Sequence, residues 1–490
     1  MHCRYNRRCH RIVSLSCRTR RVQQPPPDPA DPAVADVFLS IASRLSFSLQ
    51  EGIRMKHSRE HFSIHLVATV TMVVLAIGAM AVYLPMLYEK LYMQQTGKTH
   101  LLFSPVTKRF IYREKIVGTI PAESYAKATD HSPEYAYRDQ NGSWYTRVEF
   151  EKRLPFIYYK NMELWGLLPI TIDNQTFDKE TIKKHRQVWE LKQAEVNGSK
   201  LTEPLYPLLE SNPGQVRLSF PEDRFRMTAE RMEFVNARTN RVDDTLSTLF
   251  TNALKAEGFQ FPARSVHGKF SILKPFDEGV FMVDKSYHIF HLKRIKGMPK
   301  VVKTPIDPRL KTRHIKVSEK NSKAFYGLLL SGTGVLHLIR YDNYGLIPLP
   351  LQGYDAATMD IKLVMNPLYT TAVYSDELTV HGVTMQRDWT PVTQYRHQMS
   401  RAKKTLADSI HAALFPFCLR LNNTDGQTHV KVTCTLGGAL SLWGIGVSLL
   451  CLFFWHQLRY RKSPPKIAFL LVALTGVYGL IVLLCLDKRS

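Results

Sequence analysis

The chain has 490 residues, with 66 Lys and Arg against 42 Asp and Glu, a formal charge of +24. The basic residues are scattered rather than gathered into one stripe with interleaved aromatics, which argues against a nucleic-acid face. Scattered Lys and Arg suit a solvated surface beside anionic lipid, and a chain this long can build its core without disulfide staples.

Residues 1–54 differ from the rest. They hold nine Arg, no Lys, four acids (Asp28, Asp31, Asp36, Glu51), Cys3, Cys9, Cys17 and a Pro25–Pro29 run broken only by Asp28. The expectation is a disordered tail or an upstream reading frame. Met55 would then be the start, because Lys56 and a short polar stretch lead into an apolar run as in a signal anchor. Cys3, Cys9 and Cys17 with His2 and His10 lack the paired two-residue spacing of zinc sites, so no metal is expected there.

Three apolar runs predict transmembrane helices at 64–85, 436–455 and 467–486. Each is about 20 residues, and at about 1.5 Å per residue such a helix crosses a hydrocarbon layer about 30 Å thick. His65 is the one strongly polar intruder in the first run, and the other two contain no charge. Arg54, Lys56 and Arg59 precede the first run, and Arg459, Arg461, Lys462 and Lys466 separate the second from the third. Basic short loops stay cytoplasmic. The predicted protein is therefore a multi-pass protein of the cytoplasmic (inner) membrane, its large domain extracytoplasmic; Lys488 and Arg489 weigh little against this.

That domain divides near Pro262. Residues 86–261 read as a mixed α/β region. Within it, 179–196 offers a helix with Ile182, Val188, Trp189 and Val196, and Asp243–Gly258 reads as an amphipathic helix capped by Asp243 or Asp244 and stopped by Gly258. Tyr135–Tyr145 is a hairpin around Asn141-Gly142. Residues 262–395 are β-rich and repetitive: Phe276–Lys293, Ala324–Arg340 and Thr370–Met385 each read as strand, turn, strand, with starts 48 and 46 residues apart. This spacing is near that of four-stranded propeller blades. The fold class expected is a membrane-anchored α+β protein, mainly β, with an irregular β-propeller or meander-like repeats plus three transmembrane helices; an antiparallel sandwich is the rival. Residues 396–415 close the domain as an amphipathic helix with Met399, Leu406, Ile410 and Leu414 on one face.

Chemical signals are sparse. Gly97-Lys98-Thr99 ends like a phosphate loop but has Tyr92 in the first glycine's place. Gly332-Thr333-Gly334 is followed by His337 and fits a turn. No Gly-x-Ser-x-Gly or His-Glu-x-x-His motif is present. His288 and His291, three apart in a strand, would point to opposite faces. Asp277, Glu278 and Asp284 offer a cation site at a turn, against the simpler reading of a solvated acidic turn. Cys418 and Cys434 are either a disulfide, if the compartment is oxidising, or two free thiols. Gly437, Ser441, Gly444 and Ser448 share a helix face, as do Thr475 and Gly479, and small residues so spaced let helices pack closely, within a hairpin or against another subunit.

Several segments carry a resemblance. They are Leu-Pro-Phe-Ile-Tyr-Tyr at 154–159, Leu-Tyr-Pro-Leu-Leu-Glu-Ser at 205–211, Thr-Asn-Arg-Val-Asp at 239–243 and Phe-Pro-Ala-Arg at 261–264, then Asp-Glu-Gly-x-Phe-x-Val-Asp at 277–284, Phe-His-Leu-Lys-Arg-Ile-Lys-Gly at 290–297 and Leu-Phe-Pro-Phe at 414–417. From about Met55 to the C-terminus the chain resembles the domain of unknown function 4857 family of bacterial membrane proteins. The resemblance implies company with ABC transporter components and brings no catalytic residues or cofactor. The expected function is a non-enzymatic integral membrane protein with an extracytoplasmic binding domain. Its partners would be the lipid bilayer and an ABC transporter permease or ATPase subunit. The alternative is a membrane-tethered envelope enzyme with its site in the β-repeat loops.

Overall fold

The computed structural model of the protein describes residues 59–93, 97–197, 205–423 and 430–486. The tail 1–54, its cysteines and Met55 lie outside the described residues. The chain forms two compact units, and the described part of the smaller one comprises 59–85, 412–419 and 435–486.

The first helix, α1 (Arg59–Tyr92), has its apolar part at Val67–Tyr92, 26 residues long. Val67, Val70, Val74 and Leu75 are all exposed, which is tolerable where hydrocarbon replaces water.

The larger unit is mainly β. Strands β1 (His100–Ser104) and β2 (Arg109–Lys115), the short helix α2 (Ala122–Lys127) and β3 (Tyr135–Asp139) give a three-stranded antiparallel sheet in order β1-β2-β3. The Asn141-Gly142 turn forms as expected: Asp139 Oδ1 accepts the Asn141 and Ser143 N–H groups, and Gly142 takes φ +90°. Helix α3 (Arg147–Lys152) opens with a capping box between Thr146 and Glu149, which satisfies two otherwise orphaned N–H groups. Then come α4 (Tyr159–Leu164), the hairpin β4 (Ile170–Ile172) and β5 (Gln175–Phe177), α5 (Lys179–His185), β6 (Gln187–Leu191) and α6 (Gln193–Asn197). The helix expected over 179–196 is thus two short helices around a strand. Burial of Trp189 and Leu191 on alternate positions decides for period two.

Strands β7 (Asp223–Met227), β8 (Met232–Asn236) and β9 (Arg241–Asp243) form a second three-stranded sheet, followed by α7 (Asp244–Ala256). This helix matches its prediction: the Asp243 side chain accepts the Leu246 N–H, and Gly258 lies just beyond at φ +85°.

Two four-stranded meanders follow. The first comprises β10 (Ser265–Gly268), β11 (Val280–Val283), β12 (Ile289–Ile295) and β13 (Met298–Lys303); the second, β14 (His314–Val317), β15 (Phe325–Leu330), β16 (Leu336–Arg340) and β17 (Leu346–Pro348). Strands β18 (Asp360–Met365), β19 (Thr370–Ser375), β20 (Thr379–Met385) and β21 (Pro391–Gln398) make a third meander, with β6 added beside β18. The three repeats of the sequence are the central hairpins β11–β12, β15–β16 and β19–β20. Each turn begins one residue past the strand with a side-chain oxygen that accepts backbone N–H groups: Asp284, Ser331 and Asp376.

The sheets share cores in series. Leu101, Phe103 and Phe110 pack with Val380; Trp189, Leu363 and Val383 with Leu328 and Leu338; Leu329 and Ile315 with Phe281 and Ile289; and Met282 and Phe290 with Phe225, Phe234 and Phe250. Stacked meanders, rather than a closed barrel or propeller, are what the described strands form.

The amphipathic helix expected at 396–415 is shorter. Residues up to Gln398 extend β21, Met399 is buried with Leu101 and Phe103, and helix α8 runs Leu406–Leu414. Asp408 Oδ2 accepts both the N–H and the hydroxyl of Thr405, which sets the start of α8 beyond the β-ladder. Strands β22 (Phe417–Asn423) and β23 (Val430–Leu436) pair next.

In the smaller unit the second expected span begins five residues late, because Leu436 ends β23; helix α9 is Ser441–Tyr460. The third expected span is not one helix. It is α10 (Lys466–Thr475) and α11 (Val477–Leu486), parted at Gly476, whose φ of +58° suits a residue without Cβ. Ten residues rise only about 15 Å, so neither piece crosses a bilayer alone. Among the described residues, Val67–Tyr92 and Ser441–Tyr460 are the helices long and apolar enough to do so. Leu452, Ala468 and Val472 form the core shared by α9 and α10.

Candidate functional site

The larger unit contains a cavity of about 470 Å³, within the range of small-molecule sites, about 300–1,000 Å³. It is bordered by two sheet edges. Strand β1 is the terminal strand of its three-stranded sheet, and β6 is the terminal strand of the five-stranded one. Their side chains follow from register. His100 stands opposite Arg113 across β1 and β2. Lys362 stands opposite Glu190, and Val364 opposite Val188, across β18 and β6. With a period of two, Asp360, Lys362 and Val364 share one face of β18, and all of these residues line the cavity. The opposite face of that strand, Ile361 and Leu363, belongs to the core.

The lining is rich in cations, Lys98, Arg113, Arg186 and Lys362, with the imidazole of His100 among them, against the acids Glu190 and Asp360. Lys98 pairs with Asp360 at 2.7 Å, and Lys362 lies 3.8 Å from Glu190. Burial alone would raise the Asp360 carboxyl, but the Lys98 ammonium and the Gln193 N–H outweigh it and hold it below the usual range. Arg113 and Arg186 remain: among the described residues neither guanidinium has a carboxylate within 4 Å, and Arg113 only lies over the Tyr135 ring. Arg186 is where α5 ends, its backbone turning extended to enter β6. Burial, then the Arg113 and Lys362 charges, hold His100 below the ordinary imidazole range, the response of an imidazole to a positive field.

Behind this wall Glu114 Oε2 accepts three hydrogen bonds, from Thr99 Oγ1 at 3.0 Å, His397 Nε2 at 3.1 Å and Ser400 N at 3.0 Å. Burial would raise this carboxyl, but the His397 contact and the other two donors hold it low. The Thr99 hydroxyl is bonded to the carboxylate rather than to the imidazole. A nucleophile relay needs the hydroxyl on the base, so this trio is a structural tie. Lys98 and Thr99, the end of the phosphate-loop-like triplet, are thus both held by acids of the protein itself.

The residues that sequence reasoning had singled out lie elsewhere. Asp277, Glu278 and Asp284 do not surround a cation site. Lys274 Nζ bonds Asp277 Oδ1 at 2.6 Å, Lys293 Nζ bonds Glu278, and Asp284 receives the backbone N–H groups of Ser286 and His288. Lysines and amides supply the positive charge there. His291 is buried on β12, with Glu278 O on one ring nitrogen and Tyr344 Oη on the other, while His288 precedes the strand. Among the described residues no group of three or more His, Cys, Asp or Glu could hold a metal. Gly332-Thr333-Gly334 is a hairpin turn between β15 and β16. Cys418 is buried on β22 and Cys434 exposed on β23, and the two are not joined in a disulfide.

The small residues of the helices face their own unit. A Cβ on Gly444 would stand 1.8 Å from the Ala413 carbonyl oxygen, and the Gly437 N–H donates to Pro416 O at 2.7 Å. Ser441 and Ser448 are buried, and their hydroxyls, like that of Thr475, bond backbone carbonyls nearby in sequence. At Gly479 a Cβ would meet Thr475 Oγ1 at 2.3 Å. Intramolecular packing therefore accounts for the small-residue spacing at Gly437 and Gly444.

Sequence reasoning missed the cavity because its cations come from three separate stretches, around 98–113, 186 and 362: the pairing of β6 with β18 joins the last two, and packing of the β1–β3 sheet against β20 brings up the first. A family model described as "Domain of unknown function (DUF4857)" matches residues 100–385, a span running from the first residue of β1 to the last of β20. No curated protein matches the chain.

Proposed function

The chain belongs to the family defined by the domain of unknown function DUF4857, and from that premise we propose that it is a non-enzymatic, membrane-anchored binding protein. Its larger unit takes a ligand in the cavity between β1 and β6, and the whole acts as an accessory to an ABC-type transporter on the outer side of the cytoplasmic membrane. The observation that carries the binding reading is the pair Arg113 and Arg186, two lining guanidiniums with no carboxylate partner among the described residues. Arg113 is half-buried and Arg186 exposed at the cavity rim, so both planar forks are open to the oxygens of an incoming anion. The two apolar helices support the anchor. The basic residues around 54–59 and 459–466 favour the extracytoplasmic placement of the larger unit. Transporter company rests on the family resemblance.

Two experiments test this. A tagged protein solubilised in mild detergent should bring down a permease or ATPase; recovery of neither sinks the accessory role. Protease added to intact spheroplasts should digest the larger unit. If digestion requires permeabilisation, the orientation is inverted.

A further inference from the structure

Resting on the binding reading above, we propose that the cavity takes an amphiphilic anion: a single phosphate or carboxylate head on an apolar body. The head is assigned to Arg113 and Arg186, whose planar forks match the oxygens of a phosphate or carboxylate. Lys98 and Lys362 already have acidic neighbours at 2.7 and 3.8 Å, so the lining's surplus is two guanidiniums. That surplus suits a small anion rather than a polyanion. Apart from Thr99, Tyr158 and Ser375, the remainder of the wall is apolar, Leu102, Phe150, Ile157, Val188, Val364 and Val373 among it, so a purely inorganic ion would leave most of it wet. Burial of an alkyl body against these side chains contributes about 0.8 kcal/mol per methylene. His100 sits opposite Arg113 and reports on the site: an anion that offsets the surrounding charge raises its imidazole from its lowered value.

The same chemistry comes from a soluble organic acid or from a lipid headgroup. The test uses the full chain in phosphatidylcholine nanodiscs, titrated with hexyl phosphate, inorganic phosphate and 1-hexanol. Hexyl phosphate should bind about tenfold or more tightly than either, and Arg186→Gln or Arg113→Gln should weaken it about tenfold. Arg309→Gln, at an exposed position, should leave it unchanged. The His100 resonance in NMR should titrate higher with hexyl phosphate bound. Exchange into phosphatidylglycerol nanodiscs separates the sources: weakened hexyl phosphate binding identifies a lipid headgroup as occupant, and unchanged binding identifies a soluble anion. If 1-hexanol equals hexyl phosphate and both variants bind as the parent does with unchanged melting, the anion assignment is overturned while the cavity stands as a binding site. If no probe binds, both fail. Should Arg186→Gln unfold, Arg186→Lys and Arg113→Gln carry the comparison.

Discussion

The Lys274 ammonium and the Glu319 carboxylate lie 2.7 Å apart with side chains 1% and 0% exposed. The same ammonium bonds Asp277 at 2.6 Å and the Lys269 carbonyl at 2.8 Å. One cation thus serves two buried acids, and Glu319 Oε2 has no hydrogen-bond partner among the described residues. Lys274→Met leaves both acids unpaired. Breaking a buried pair in this way costs about 3–5 kcal/mol. The urea midpoint of the purified protein should fall accordingly; an unchanged midpoint would mean that the cluster is solvated.

His291 predicts an acid sensitivity above the carboxylate range. Burial, partly opposed by the Glu278 carbonyl, lowers its imidazole from 6.5 to about 4. The neutral ring suits its partners, Nε2–H donating to Glu278 O while Nδ1 accepts from Tyr344 Oη. Between these two pH values the unfolded chain binds a proton that the folded one does not, so stability falls as pH drops from 6.5 toward 4. At about 1.4 kcal/mol per unit this amounts to about 3 kcal/mol. Thermal melts across that window should show the slope in the parent protein and a shallower one in His291→Gln.

Gly382 predicts a packing defect. A Cβ there would lie 2.4 Å from Phe110 Cε1 and 3.0 Å from Leu101 Cδ2, both inside the core between the β1–β3 sheet and β20. Gly382→Ala should destabilise by about 1–3 kcal/mol through overpacking, read as a lowered melting temperature. Adding Phe110→Leu should recover part of the loss.

Gly444 and Gly446 make a matched pair on α9. A Cβ at 444 meets a backbone carbonyl at 1.8 Å, whereas nothing lies within 4 Å of one at 446. Gly444→Val should cost about 1–3 kcal/mol or more and lower the yield of folded protein in detergent by size-exclusion chromatography. Gly446→Val should behave as the parent. Equal behaviour of the two would refute the contact between α9 and Ala413.

What could be read from the sequence was the apolar half of each element. The hairpins at 276–293, 324–340 and 370–385 stood out because β11, β15 and β19 are buried along nearly their whole length. Their outer companions did not, since β13 and β21 alternate with exposed polar residues. Helix α7 was legible from Asp243, Gly258 and a single apolar face. The 467–486 run was misread as one helix because hydropathy does not register the positive φ at Gly476. The cavity was invisible for a different reason: β6 and β18 are separated by about 170 residues, and no local period announces such a partnership. The acidic motif at 277–284 was conspicuous, yet its charges are used inside the protein.

The two borders of the cavity belong to different sheets and share no ladder hydrogen bond, while Leu101, Phe103, Val380 and Met399 clamp those sheets together. The walls of the cavity are therefore held to one another by side chains alone, and Lys98 and Asp360, 2.7 Å apart and both partly solvated, add an ion pair whose strength dissolved salt will screen.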